Sequence, residues 1–331
     1  MSASVYIVLL NWNSWRDTLE CLESVCRLSY GNFRVTVCDN GSTDDSVKRI
    51  LDWATGSGRA EAETDQMAGY SSPPFPKPVT VRLLNRVNLC DRQQGADPLL
   101  TVIQNGANLG FAAGCNVGIQ YALACGCSYV WLLNNDTVVS RDALTALVAT
   151  AESDPTIGIT GSTIWRYHQP DSVQAHGGTA YNRWMARTPR ARKKNSNRFG
   201  ELDCILGCSM LVSRLFLEEI GLMDESYFLY FEELDWAERC RGRFQLKYAE
   251  DSNIYHKEGA SIGSSGNRSS RSLLSEFYLS RNRILFTKKF YPWLLPSVIF
   301  WVVASALFRL AKGDLRCCMT ILKGALEGGR C

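Results

Sequence analysis

The chain opens on an unbroken apolar run, Val5 to Leu10 (VYIVLL), that stops at Asn11-Trp12-Asn13. A run without alternation predicts a strand covered on both faces. Beyond it Leu19, Leu22 and Val25 fall at helical spacing on one side, with Ser14 in the N-cap position. The rhythm repeats: Phe33 to Cys38 reads as a strand ending on Asp39-Asn40-Gly41, and Ser42 or Thr43 can cap a helix to about Trp53. Strand, turn and helix in succession predict a parallel sheet with crossovers. Residues 56 to about 100, rich in Gly, Ser and Pro, break this pattern and read as an inserted surface loop or hairpin around one strand-like island, VTVRLL. The rhythm resumes with strands at Leu100–Gln104, Tyr129–Leu133 and Ile157–Thr160 and a helix from about Asp142 to Ala151. After Arg198 come a strand-like LDCILGCSML, a helix near Ser213 to Ile220, an acidic helix within FEELDWAERCR and a strand, FQLKYA.

Gly106, Gly110, Gly114 and Gly118 recur every fourth residue. The asparagines among them argue against packed membrane helices, and GxGxxG is absent. A loop leading into a helix, with glycines that admit a phosphate or the sheet backbone, fits better. The net charge of +3 over 331 residues is too small to argue for nucleic acid. Seven basic residues and no acid do lie between Arg183 and Arg198, in a solvated loop or an anion-binding one. Thirteen cysteines without a CxxC pair or a basic n-region read as buried free thiols in a reducing compartment.

Three strand ends are polar: Asn11-Trp12-Asn13, Asp39-Asn40 and Asn134-Asn135-Asp136. Each alone is a turn, but in a parallel sheet they share one rim, where ligands bind. Together they offer an aromatic, a hydrogen-bond acceptor and a carboxylate for a divalent cation, as a nucleotide diphosphate requires. Downstream, MDESYFLYFEELDWAERCR gathers acids around aromatics. They read either as a helix N-terminus favouring acids through its dipole or as a general base whose pKa is raised beside Tyr230 and Phe231. His256 follows a strand and can complete a metal site begun by Asp136.

Taken in order, VYIVLLNWNSW, VCDNGSTDDS, NLGFAAGCNVGI, YVWLLNNDTVV, FLYFEELDWAERCR and HKEGAS resemble the inverting family-two glycosyltransferases of the GT-A fold, most closely the rhamnosyltransferase branch, over about residues 4 to 290. The resemblance implies an α/β GT-A domain over residues 1–270, with a Rossmann-like, mostly parallel sheet flanked by helices. Its nucleotide-sugar half would be about 1–140 and its acceptor half about 141–270. By position, Asn11, Trp12, Asn13 and Asp39 would hold the base and ribose. Asn108, Gly110, Phe111 and Gly114 would sit near the nucleotide with Asn134 and Asn135, and Asp136, assisted by His256, would bind Mg²⁺ or Mn²⁺. Glu233 would be the base, supported by Glu232 and Asp235. The implied activity is inverting transfer from a nucleotide-diphosphate sugar, dTDP-L-rhamnose before UDP-hexoses, to a saccharide or lipid-linked acceptor in cell-surface polysaccharide synthesis. Two departures matter: the triplet Asn-Asn-Asp has one carboxylate, and Glu232-Glu233 replaces the usual Glu-Asp. The first keeps open an inactive nucleotide-sugar- or carbohydrate-binding module.

Between Lys289 and Arg309 lie nineteen uncharged residues, FYPWLLPSVIFWVVASALF, about the length that spans a bilayer. Pro292 and Pro296 interrupt the first turns and basic residues flank both sides, so residues 271–331 are expected to lie in the interface of the inner membrane face, with the protein cytoplasmic and peripheral. A last amphipathic helix would present Leu315, Cys318, Met319, Leu322 and Leu326 on one face. The other reading packs these helices on the catalytic domain or against a second copy in a homodimer.

Overall fold

The computed structural model describes residues 2–88, 98–188, 202–258 and 271–330. In chain order the first half comprises β1 (Val5–Asn11), α1 (Trp15–Val25), β2 (Phe33–Asp39), α2 (Ser46–Thr55), a single turn α3 (Ala68–Ser71), β3 (Val81–Asn85), β4 (Leu100–Gln104), α4 (Gly110–Ala124), β5 (Tyr129–Asn134), β6 (Thr137–Val139) and α5 (Ala143–Glu152). There follow β7 (Ile157–Arg166), β8 (Gln169–His176), β9 (Gly178–Thr179), β10 (Cys204–Ile205), β11 (Ser209–Ser213), α6 (Arg214–Ile220), α7 (Glu232–Cys240), β12 (Gln245–His256), α8 (Leu273–Phe290), α9 (Leu295–Ala311) and α10 (Leu315–Arg330).

One ten-stranded sheet runs β3-β4-β2-β1-β5-β11-β7-β12-β6, with β8 on β7. Strands β3 to β5 are parallel, as the alternating pattern predicts, and β11 reverses between β5 and β7. The helices cover both faces. Leu19 and Leu22 of α1, Ile50 and Trp53 of α2 and Leu147 of α5 bury one side, while Ala112 and Ile119 of α4, Phe216 of α6 and Trp236 of α7 bury the other. This two-sided burial is why β1 has no polar alternation.

Several local expectations change. VTVRLL is no hairpin: its strand β3 pairs in parallel with β4 at the sheet edge. LDCILGCSML splits between a two-stranded ribbon, β9 with β10, and β11 of the main sheet. Helix α2 starts at Ser46, not at Ser42 or Thr43, because Ser42 is bonded to Asp39 and Thr43 to Asn13. Ser14 likewise does not cap α1; its Oγ accepts from the Asn135 amide at 2.7 Å.

The C-terminal helices pack on α7 through a third apolar cluster that includes Phe231, Leu234, Phe286, Val302 and Ile321. Of the apolar face expected on α10, Leu315, Met319 and Leu326 are exposed, while Cys318 is buried and Leu322 packs on the cluster; Cys317, Ile321, Gly324 and Gly328 are buried with them. A Cβ on Gly324 or Gly328 would collide with the backbone carbonyls of Phe277 and Arg281, so backbone approach to α8, not side-chain bulk, selects that face. Helix α9 buries only the stripe Val298, Val302 and Ala306 and leaves Ile299, Phe300, Leu307 and Phe308 exposed. Pro292–Ala311 forms a 20-residue helical stretch of mean hydropathy 1.9.

Candidate functional site

The three polar strand ends do share a rim: Asn11 is in register with Asp39, and Leu10 with Asn134. Asn11 is fully buried, and its amide is used internally. Its Nδ2 donates to Asp39 Oδ1 at 2.8 Å and to Ser42 Oγ at 3.0 Å, while its Oδ1 accepts from Thr18 Oγ1 at 2.8 Å. Asn135 Nδ2 donates to Thr18 Oγ1 at 2.9 Å, so a continuous buried network joins all three strand ends. It sets the Asp39 carboxylate, which also takes the Ser42 amide at 3.1 Å. Asn13 lies at φ 52°, in the left-handed region that Asn tolerates, and its Oδ1 accepts from the Thr43 and Asp44 amides. Trp12 is half-buried beside it.

Asn40, a polar strand-end residue to which the sequence assigns no role, is a hub. Its Nδ2 donates to Asn108 Oδ1 and to the Gly110 carbonyl at 2.9 and 3.1 Å, and its Oδ1 accepts from Asn105 Nδ2 and the Leu109 amide. The start of α4 is thereby tied to the end of β2. Gly110 has φ +83°, and a Cβ there would strike the Phe228 carbonyl, to which the Phe111 amide donates at 2.7 Å. A Cβ on Gly114 or Gly118 would stand 2.6 Å from Leu10 Cδ1 or 2.5 Å from Val8 Cγ1. These two glycines therefore admit the sheet rather than a phosphate.

Asp136, in the turn between β5 and β6, is buried, and His256 Nε2 stands 3.3 Å from its Oδ1. Separated by 120 residues of sequence, the two meet because β12 ends antiparallel to β6, pairing His256 with Thr137. Gln174 Oε1 lies 3.2 Å from His256 Nδ1 and the Asn134 amide 3.5 Å from Nε2. Burial pulls the imidazole pKa down, but the adjacent Asp136 carboxylate more than offsets this and leaves it raised. One oxygen and one nitrogen donor facing each other suit a divalent cation that draws its other ligands from phosphate and water. Among the described residues no third His, Cys, Asp or Glu joins them.

The neighbouring Lys257, another residue missed from sequence, anchors this corner. Its buried ammonium lies 2.7 Å from Asp17 and 2.8 Å from both Glu20 and Glu63, and its amide donates to the Asp136 carbonyl. The rest of HKEGAS, from Gly259, lies outside the described residues, as does the basic run from 189 onwards.

The acidic motif sits on a strained turn. Tyr230 and Phe231 hold φ of 68° and 77°, and α7 begins at the next residue, Glu232. Two consecutive bulky residues in the left-handed region need support. Asn282 of α8, itself fully buried, supplies it by donating to the Leu229 and Tyr230 carbonyls at 2.8 and 2.9 Å. The Oε2 atoms of Glu232 and Glu233 are buried without a hydrogen-bonding donor. Burial raises both carboxyl pKa values, that of Glu232 well above the ordinary range, and the neighbouring Glu233 charge adds to its rise. Asp235 differs: its oxygens take Arg239 Nε at 2.6 Å and Lys289 Nζ at 2.5 Å, which ties α7 to α8. Burial pushes the Cys21, Cys26 and Cys38 thiols up to about 12, as expected of apolar packing rather than nucleophiles or metal ligands.

The chain matches the model of glycosyl transferase family 2 over residues 6–62 and 85–220. It is 28% identical over 141 residues to the low-salt glycan biosynthesis hexosyltransferase Agl10 of Haloferax volcanii; the match covers 42% of this chain and 45% of that protein, so the chain spans under half of that relative's length. Among solved structures, the mannosyltransferase PcManGT of Pyrobaculum calidifontis, in complex with GDP-Man and Mn²⁺, is similar at a TM-score of 0.54 and 14% identity, over 99% of this chain and 87% of that one. GalNAc-T7 with UDP, GalNAc and Mn²⁺ is similar at 0.58 and 16% identity, over 99% of this chain and 55% of the other. These structures share the fold, and the family match takes in more than half of the sequence, from β1 through the Asn134–Asp136 turn to α6: the chain belongs to glycosyl transferase family 2.

Proposed function

We propose that the protein transfers a hexosyl residue, with inversion, from a nucleotide-diphosphate sugar to a hydroxyl of a saccharide or lipid-linked acceptor in cell-surface polysaccharide synthesis. The sequence motifs favour dTDP-L-rhamnose, with UDP-hexoses next. The observation that carries the reading is the Glu232-Glu233 pair, whose Oε2 atoms are buried without donors, on a turn held by Asn282. Two adjacent carboxyls in a low-dielectric site do not both ionise readily. Glu232 is the more buried and holds the proton; Glu233, half-buried, is the base. Its carboxylate takes the acceptor hydroxyl proton as the oxygen bonds to sugar C1 and the C1–O bond to the diphosphate breaks on the opposite side. Asp39, set by Asn11 and Ser42, faces the nucleoside with Trp12 and Asn13, and Asn40 holds the Asn108–Gly110 entry of α4 beside it. Asp136 and His256 would hold Mg²⁺ or Mn²⁺, which when bound offsets charge on the departing diphosphate.

Donor turnover with and without EDTA tests this reading. Chelation and Asp136→Ala should each abolish turnover, and Glu233→Gln should lower kcat by roughly 10²- to 10⁴-fold; a fully active Glu233→Gln protein overturns the base.

The same reading seats the protein peripherally on the inner face of the cytoplasmic membrane. The exposed apolar side of α9, with Trp293 at its start, continues into Leu315 and Met319 of α10 and is bordered by exposed Lys312, Arg316 and Lys323. Apolar residues flanked by aromatics and cations suit an anionic lipid interface.

A further inference from the structure

Gln174 is the extra residue of a bulge in β8. On β7, Ile164 pairs with Ala175 and the next residue, Trp165, pairs with Val173, so Gln174 between them has no partner in the ladder. A bulge re-aims a side chain, and here the side chain is aimed at the metal corner: Gln174 Oε1 stands 3.2 Å from His256 Nδ1. The two residues are not on neighbouring strands. β7 lies between them, paired with β8 along one edge and, through Arg166, with His256 of β12 along the other. Two strand spacings amount to roughly 9–10 Å. The His256 ring and a glutamine close that gap between them, and an asparagine, one methylene shorter, leaves it open.

The contacts on the two ring nitrogens differ. Nδ1 has the amide oxygen of Gln174 within N–H···O range, whereas Nε2 faces Asp136 Oδ1 at 3.3 Å and the Asn134 amide nitrogen at 3.5 Å. A proton shared between imidazolium and carboxylate draws the pair to roughly 2.7–2.9 Å, closer than Nε2 and Asp136 stand. Nδ1–H therefore donates to Gln174, and Nε2 turns its lone pair to the side on which Asp136 lies. We propose that Gln174 is a positioning residue of the metal corner: it holds the Nδ1 proton of His256 and so fixes the ring and its tautomer with Nε2 presented beside Asp136 as a cation ligand. The cation's role rests on the transferase reading, while the tautomer stands on the Gln174 contact.

Nitrogen NMR of the full chain without metal reads the tautomer directly. The chain has three histidines, and the His256 signals are those lost in His256→Gln. With the ring neutral, wild type should carry its proton on Nδ1, and Gln174→Met should move it to Nε2. A wild-type proton on Nε2, or the same tautomer in Gln174→Met, overturns the proposal. Mn²⁺ binding followed by electron paramagnetic resonance reads the consequence. Gln174→Met and Gln174→Asn should each raise the dissociation constant roughly 10- to 100-fold, while Gln174→Glu, which keeps an acceptor at the same reach, should restore wild-type binding. Gln174→Asn supplies both readings if Gln174→Met does not fold. Unchanged affinity in the Met and Asn variants, or an equal loss in Gln174→Glu, overturns the positioning role. A wild type that binds no Mn²⁺, or binds it as tightly as Asp136→Ala does, counts against the metal assignment instead, and the tautomer then decides the role of Gln174 by itself.

Discussion

At the residue scale, burial decides what each acid does. Glu232, Glu233 and Asp235 stand within four positions, yet Asp235 is neutralised by Arg239 and Lys289 while the glutamates are left without donors at Oε2. The folded-state pKa of Glu232 lies above its unfolded value near 4.5, so its stabilising contribution is present at lower pH and is lost as pH rises through the folded pKa. Glu232→Gln should therefore raise Tm at about pH 7 to 8 and leave it unchanged near pH 4, as thermal denaturation across pH will show. Lys257 presents the opposite case, one buried cation for three carboxylates. Lys257→Met strands buried negative charge and should cost roughly 3–5 kcal/mol in chemical denaturation.

At the element scale, the site depends on junctions. Gly110 turns the chain into α4 at a φ that L side chains avoid and under the Phe228 carbonyl. Gly110→Ala should destabilise the fold by roughly 1–3 kcal/mol and displace the acidic turn with it, read as a lower denaturation midpoint. Helix α8 enters the catalytic region through Asn282, which acts as a positioning residue. Asn282→Ala releases the Leu229 and Tyr230 carbonyls and should lower kcat more than it raises KM, because the carboxylates move while the donor rim does not.

At the scale of the whole molecule, the C-terminal helices join two tasks. One side of α8 supports the acidic turn, and α9 and α10 beside it expose apolar side chains bordered by cations. Replacing Phe300, Leu307 and Phe308 by Ser should abolish co-sedimentation with phosphatidylglycerol vesicles without lowering Tm, since none of the three is buried. Vesicle binding retained in that variant would instead place the contact elsewhere, and a wild type that sediments as a dimer without lipid would assign the face to a second copy.

The sequence by itself determined the parallel half of the sheet, because two-sided burial writes unbroken apolar runs such as Val5–Leu10 and Phe33–Cys38. It also determined that polar residues end those strands, and hence one rim bearing Asn11, Asp39 and Asn134. Only the tertiary structure decided which of those groups are spent internally, since Asn11, Thr18 and Asn135 meet across separate elements. Local pattern cannot carry pairings over long separations: His256 reaches Asp136, Lys257 reaches Asp17 and Asn282 reaches Tyr230 only after the sheet has closed. The packing side of α10 was illegible for a related reason, because amphipathicity counts side chains while Gly324 and Gly328 pack by having none.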